Sequence, residues 1–462
     1  MKKYGFATFA CFTLILTLLG SPGCAKTPAP ADLVLLNGDV YTVDPALPAA
    51  RALAINGDKI TAVCTADRQA RRYIGPKTRV FDLQGKFVLP CLIDARVHFE
   101  AAGALLCGAN LLNVADEAGL RKEVQRVVDL LDDGEWITGG LWGASEQGAA
   151  GDAGQEAREK KAPWRPSRRM IDDLTPNHPC FLSRFDRKEW LANGAALAEA
   201  GLDKQRLPGM ETGPDGQPTG IVFPGTPAFD KLEKAVKPKS EMRLLDESRT
   251  ALQALREAGI TEIHVIETPG QTKRFVELEK NGELTCRVWI RPDLSRGAEL
   301  KAQGFSIGLH PATRQKSSML RYGPLDADGE GTRGGREARL SVGSDWPGTS
   351  GAVSGMRPTD LIYAAVTRTT PGGKPEGGWP PEQKITVEDA IRAYTINNAY
   401  AAFEDDIRGS LKAGKLADIT VFDLNLLKIP AADILNAKVT HTIVGGKIVF
   451  RRRVPPPARA SR

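Results

Sequence analysis

The sequence predicts an α/β protein: a parallel (β/α) arrangement carrying a small β-domain assembled from both ends of the chain. Three observations predict it. Short apolar runs separated by Asn-Gly and Gly-Gly turns occupy both termini, as expected of hairpins. Strand and helix patterns alternate from Ser240 to Ile290, which argues a parallel arrangement. At 462 residues and 42% hydrophobic composition, the chain is long enough to bury one large core and a smaller one.

The first residues read as an export signal. Lys2 and Lys3 provide the positive start, and residues 6–19 form an apolar run too short for a membrane span. Gly20, Ser21, Pro22 and Gly23 then lead to Cys24, a pattern that resembles a bacterial lipoprotein signal. Processing would leave Cys24 as the lipidated terminus and anchor the protein to a membrane. Ser21 stands where a Leu is usual, so ordinary cleavage is the alternative. Either way the expected address is outside the cytoplasm, periplasmic or membrane-anchored. Residues 25–31 form a Pro/Ala linker.

From Asp32 the pattern turns to strands. Leu33-Val34-Leu35-Leu36, Val40-Tyr41-Thr42-Val43, Arg51-Ala52-Leu53-Ala54-Ile55, Lys59-Ile60-Thr61-Ala62-Val63 and Arg79-Val80-Phe81-Asp82-Leu83 follow one another. Ile419-Thr420-Val421-Phe422, His441-Thr442-Ile443-Val444 and Lys447-Ile448-Val449-Phe450 repeat the pattern near the other end. Residues 32–86 and 407–452 are therefore expected to build one composite β-domain, with 87–406 inserted as the (β/α) domain. Within 101–240 the strand–helix rhythm lapses. A helix at 117–131 presents Leu120, Val124, Val127 and Val128 on one face, a strand follows at 136–142, and 144–169 is polar loop. Regular alternation resumes with a helix at 243–258 closed by Gly259, a strand at 260–266, a helix at 272–281 and a strand at 286–290. Residues 453–462 form a tail.

A net charge of +6 is spread over 62 basic and 56 acidic residues. The densest basic run, Arg451-Arg452-Arg453, precedes a Pro triplet and reads as solvated tail, so no nucleic-acid partner is expected. Beyond Cys11 and Cys24, Cys64, Cys91, Cys107, Cys180 and Cys286 are scattered without C-x-x-C spacing. They read as small buried hydrophobes, and an odd number leaves at least one thiol free.

The stretch Phe87 to Glu100, FVLPCLIDARVHFE, organises the rest. It delivers Arg96 and His98 to one face of a strand, because residues two apart share a side. Together with Gly343-Ser344-Asp345-Trp346-Pro347, Ala364-Ala365-Val366-Thr367-Arg368, Ala393-Tyr394-Thr395-Ile396-Asn397 and Gly414-Lys415-Leu416-Ala417-Asp418, it resembles amidohydrolase family 3 of the amidohydrolase superfamily, which includes N-substituted formamide deformylases. The segments 179–193 and 215–220 resemble the same branch. The resemblance spans residues 32–450.

The resemblance implies a metal-dependent hydrolase fold, a (β/α) barrel of the TIM type with a small β-sandwich domain built from both termini, and hydrolysis of a non-peptide C–N bond in a small amide or cyclic amide. It implies a divalent metal, zinc first, which would activate water while an Asp carries the proton to the leaving nitrogen. On this basis His98 and Asp345 are the expected ligands, with Asp345 also the catalytic proton carrier and His310 a third candidate ligand. Arg96, Arg287 and Arg291 are expected at the pocket. His264 either lines the pocket or satisfies a core hydrogen bond, and His178 and His441 are structural. The departures are equally specific. Arg96 stands where the family has its first His ligand, Cys91 replaces a Gly, and Asp186-Arg187-Lys188 replaces Asp-Gly-His. The long segment expected after Arg291 is missing, with about three of eight βα units. Arg keeps its proton and cannot ligate a cation. Two further readings therefore stand beside hydrolysis: a non-catalytic relative that binds a small ligand, and a chain whose shortened barrel exposes sheet edges.

Overall fold

The computed structural model describes residues 28–143, 164–266, 268, 270–291, 320–322, 339–347 and 356–453. The expected export signal with Cys24, most of the polar loop and nearly all of the tail lie outside the described residues.

Both ends of the chain build two sheets that share one core. The first has the order Lys59–Cys64, Ala52–Asn56, Leu33–Leu36, Arg79–Asp82. The second runs Lys447–Arg451, Val439–Val444, Ile419–Phe422, Phe87–Pro90, Asp39–Tyr41, Ala49–Ala50. Leu35, Leu53, Ile55, Val88, Ile419 and Val421 pack together between them. Strand Phe87–Pro90 pairs antiparallel with Ile419–Phe422 and parallel with Asp39–Tyr41. The chain therefore crosses between domains at Cys91 rather than at Phe87, where the sequence reading placed the boundary. An all-apolar strand reads the same in either sheet, so its pairing decides.

A parallel three-stranded sheet of Leu92–Val97, Ile260–Ile266 and Arg287–Arg291 forms the second core. Helix Glu241–Ala258 covers it, with Leu252 and Leu255 packed against Ile260, Ile263 and Val265. The Ser240 side chain accepts from the Arg243 amide at its start, and Gly259 closes it at φ 85°. A parallel bridge from Val97 to Trp346 carries the sheet on to the Asp345 segment. Among the described residues these parallel strands do not close into a barrel.

Residues 109–222 hold a separate six-stranded sheet. Its order is Met210–Thr212, Pro218–Val222, Trp190–Ala192, Cys180–Arg184, Ile137–Trp142, Ala109–Asn110. The last three strands are parallel, and helix Glu117–Val128 joins two of them. A βαβ unit is therefore present where the sequence showed no regular repeat. Helix Glu117–Val128 and strand Ile137–Trp142 stand close to where the sequence placed them, but strand Ala109–Asn110 spans two residues, too few to announce the unit.

No helix among the described residues is long and apolar enough to cross a membrane. The five described cysteines are free thiols, four of them buried, as their apolar surroundings suggested.

Candidate active site

The carboxyl end of strand Leu92–Val97 and the segment Gly343–Pro347 are laced together. The Asp345 amide donates to the Arg96 carbonyl at 2.9 Å, and the His98 amide donates to the Trp346 carbonyl at 2.8 Å. Gly343 permits this approach, because a Cβ there would lie 2.7 Å from the Arg96 nitrogen. Asn398 ties the two strands from behind. Its Nδ2 donates to the carbonyls of Ile93 at 2.6 Å and Val342 at 2.8 Å, and its Oδ1 accepts from the Val342 amide at 3.2 Å. Asn398→Ala strands these buried groups and is expected to cost about 3 kcal/mol, read from the urea midpoint.

Asp345 occupies the left-handed region at φ 58°, and its carboxylate is the centre of the arrangement. Arg96 Nε donates to Oδ1, and His98 Nε2 lies 3.2 Å from the same oxygen. The Arg96 and Asp345 side chains are 21% and 25% exposed, while that of His98 is 38% exposed. Burial acts to raise the Asp345 pKa, but hydrogen bonds from His98 and Arg96, with their charge, outweigh it and hold the carboxyl below its ordinary value. A carboxylate stabilised in this way is a weak base towards water. Because its folded pKa is depressed, the stability that it contributes is lost as pH falls below the ordinary value of 3.8.

Asp94, two residues before Arg96, is fully buried. Its Oδ1 accepts from the amides of Ser344 at 2.8 Å and Arg96 at 3.2 Å, while Oδ2 has no partner. Burial pushes its carboxyl up to about 6, aided by the charge of Asp345 and opposed by the bonds from Ser344 and Arg96. The folded pKa here lies above the ordinary 3.8. Stability from the protonated form is therefore complete below that value and is lost as pH rises through about 6, amounting to about 3 kcal/mol. Asp94→Asn keeps the Oδ1 acceptor. It is expected to remove this slope and to make the protein more stable than wild type at pH 8, measured by urea unfolding at pH 5 and pH 8.

The other expected site residues lie elsewhere. His264 is buried at the sheet, its ring 4.9 Å from that of Trp289 and its Nε2 3.2 Å from Glu262 Oε1. Of its two expected roles, the structure places it in the core. Arg287, expected at the pocket, instead clamps Asp418 with Nε and Nη2 at 2.6 and 3.1 Å, which ties the sheet to the composite domain. That correction has a physical cause: Arg287 opens its strand, at the end opposite His98, and a largely buried guanidinium takes the nearest carboxylate. Arg291 ends the same strand, but its side chain and all of His310 lie outside the described residues. His178 Nδ1 faces the Glu135 carbonyl at 3.2 Å, and His441 is buried in the composite domain, as their structural reading required.

Sequence reasoning missed a buried ionic cluster. Glu262 pairs with Arg408, and Glu404 lies 3.3 Å from the Arg408 Nε. The signal was available: Glu262 and His264 alternate inside the apolar run ITEIHVI and so must share one face. Asn398 was missed as well, although it directly follows the quoted Asn397.

The metal implied by the resemblance can be tested against these donors. Among the described residues no group of three or more His, Cys, Asp or Glu side chains is placed to hold a metal ion. Of the expected ligands, His98 and Asp345 converge among the described residues, and the Asp345 oxygen nearest His98 is already taken by a permanent cation. Zinc needs about three protein ligands and an open position. These described residues do not fit it.

The amidohydrolase family model matches residues 79–340 and 336–450. Among curated relatives, the protein LONG AFTER FAR-RED 3 of Arabidopsis thaliana is 25% identical over 91% of this chain and 92% of its own length. The N-substituted formamide deformylase of Arthrobacter pascens is 22% identical over 91% of this chain and 98% of its own length. Among solved structures, an uncharacterized metal-dependent hydrolase from Pyrococcus horikoshii OT3 superimposes with a TM-score of 0.56 at 15% identity, covering 86% of this chain and 99% of that one. That likeness extends to the fold. With the family model covering most of its length and the Arg96, His98 and Asp345 segments meeting as described, the chain belongs to the amidohydrolase family.

Proposed function

We propose that the protein is a small-molecule-binding member of the amidohydrolase family, taking a small amide or cyclic amide without metal-assisted hydrolysis. The observation that carries this reading is the Arg96–Asp345 pair. Arg96 neutralises the carboxylate with a fixed positive charge where metal-assisted chemistry requires a metal, and it withdraws the oxygen that would take a proton from water. The shortened (β/α) barrel and the two-sheet domain belong to the same reading, with the parallel sheet as the surviving part of the barrel wall.

Hydrolysis of a small C–N bond is the second reading. It is favoured by the 3.2 Å approach of His98 to Asp345, which keeps an acid–base pair at the site, and by the activity named for the Arthrobacter relative. The test is to incubate the purified protein with zinc and a panel of N-substituted formamides and cyclic amides, following both turnover and thermal shift. A raised melting temperature without product supports binding. Turnover that disappears in Asp345→Asn overturns it in favour of hydrolysis.

The N-terminal segment supports export with a lipid anchor on Cys24. Membrane fractionation of the wild type against Cys24→Ala tests it, and equal partitioning of the two would refute the anchor.

A further inference from the structure

Beside the Asp345 segment lies a cavity of about 460 Å³, bounded by helix Phe99–Cys107, the bulged strand Ile137–Trp142, the Arg184–Glu189 turn, and Pro347. Its size falls within the range of small-molecule pockets. The walls are apolar and aromatic. Phe181 and Trp190 stack at 4.6 Å between ring centroids, and Leu105, Leu141 and Val236 complete the lining.

Two features of the backbone are aimed at this space. Gly139, Gly140 and Leu141 adopt φ of 111°, 106° and 70° in succession, and the pairing register with strand Cys180–Arg184 shifts across them. Backbone contacts enforce the first two, since a Cβ on Gly140 would sit 2.5 Å from both the nitrogen and the oxygen of Ser183. Leu141 is a bulky residue in a conformation that costs it energy, and the bulge turns it into the cavity wall. Across the opening, Arg187 sits at φ 57° in a turn closed by the Arg184 amide on the Glu189 carbonyl at 2.8 Å.

Part of the charge around the cavity is paired. Asp186 is held by Arg184 at 2.6 Å, and Lys237 is held by Glu199 at 3.0 Å. Arg187 and Glu233 line the cavity without an ion pair among the described residues. Arg187 thus offers a planar, permanently charged donor beside an aromatic slot.

We infer that this cavity binds a small ligand with an aryl or alkyl body, seated against Phe181, Trp190 and Leu141, and a carboxylate that meets Arg187. The inference rests on the reading of the protein as a small-molecule binder and narrows its ligand to an amide that also carries this carboxylate.

The probes are 3-phenylpropanoate and 3-phenylpropanamide, which share a body and differ in charge, titrated calorimetrically against the full chain at low salt. The carboxylate is expected to bind about tenfold more tightly or better, as a charge-assisted bond provides. Arg187→Gln, on an exposed residue, is expected to erase the preference without changing the melting temperature. Trp190→Ala is expected to weaken both probes, and Glu233→Gln to favour the carboxylate further. Equal binding of the two probes, binding of neither, or a preference that survives Arg187→Gln overturns the inference. Binding lost in Asp345→Asn but kept in Trp190→Ala also overturns it, placing the ligand at Asp345 and leaving the small-molecule reading intact. Zinc-dependent turnover would instead defeat that reading, whatever the cavity binds.

Discussion

Glu262→Ala is expected to destabilise the protein by about 3 kcal/mol or more, because it leaves the Arg408 guanidinium in the core without its main counter-charge. Glu262 and Arg408 side chains are 1% and 10% exposed, so water screens the pair little. His264 loses its Nε2 partner in the same substitution. Glu404, 3.3 Å from Arg408 and 27% exposed, offsets part of the loss. Urea unfolding of the variant reads the effect. The double variant Glu262→Met, Arg408→Met is expected to recover most of it, since removing both charges removes the uncompensated one. A change within about 0.5 kcal/mol for the single variant, typical of surface positions, would show that the cluster is solvated.

Arg96→His is expected to raise zinc retention above that of the wild type. The substitution puts a neutral imidazole on the strand face shared with His98 and releases the Asp345 oxygen now held by the guanidinium. Three donors then converge. It also removes a repulsion on the order of 8 kcal/mol, for a unit cation and a dication about 4 Å apart in a medium of effective dielectric 20. The expected gain in zinc affinity is about tenfold or more, read by zinc titration and by retention through gel filtration. Arg96→Gln separates the two causes: it removes the charge without supplying a ligand and should gain less. Equal zinc affinity in wild type and Arg96→His would show that Arg96 does not control the site.

The pattern of side chains made the local elements legible, and pairings distant in sequence were less so. The strand Ile260–Ile266 stands where its apolar run placed it, and helix Glu241–Ala258 ends on the glycine that the sequence marked as its stop. Arg96 and His98 share a face because strand geometry requires it, and both reach Asp345. The use of that face was visible only in part. An Arg beside a His is incompatible with shared metal ligation, but that the Arg would close on an Asp 249 residues away needed the structure. Arg287 shows the same limit: its partner Asp418 is 131 residues distant, and the motif alone suggested a pocket. After helix Phe99–Cys107 the strand Ile137–Trp142 was legible, but its parallel partner Ala109–Asn110 is too short to show a pattern, so the pairing went unread there. The cavity beside it was invisible too, since positive φ at Leu141 and Arg187 has no signature in residue type.

The measurement that tests the central claim most directly is the zinc stoichiometry of purified wild-type protein after dialysis against excess zinc and removal of free metal. If Arg96 holds the carboxylate as described, the protein retains far less than one zinc per chain, and neither His98→Ala nor Asp345→Ala changes that. About one zinc per chain, lost in both variants, would contradict the account and return the site to metal-assisted hydrolysis.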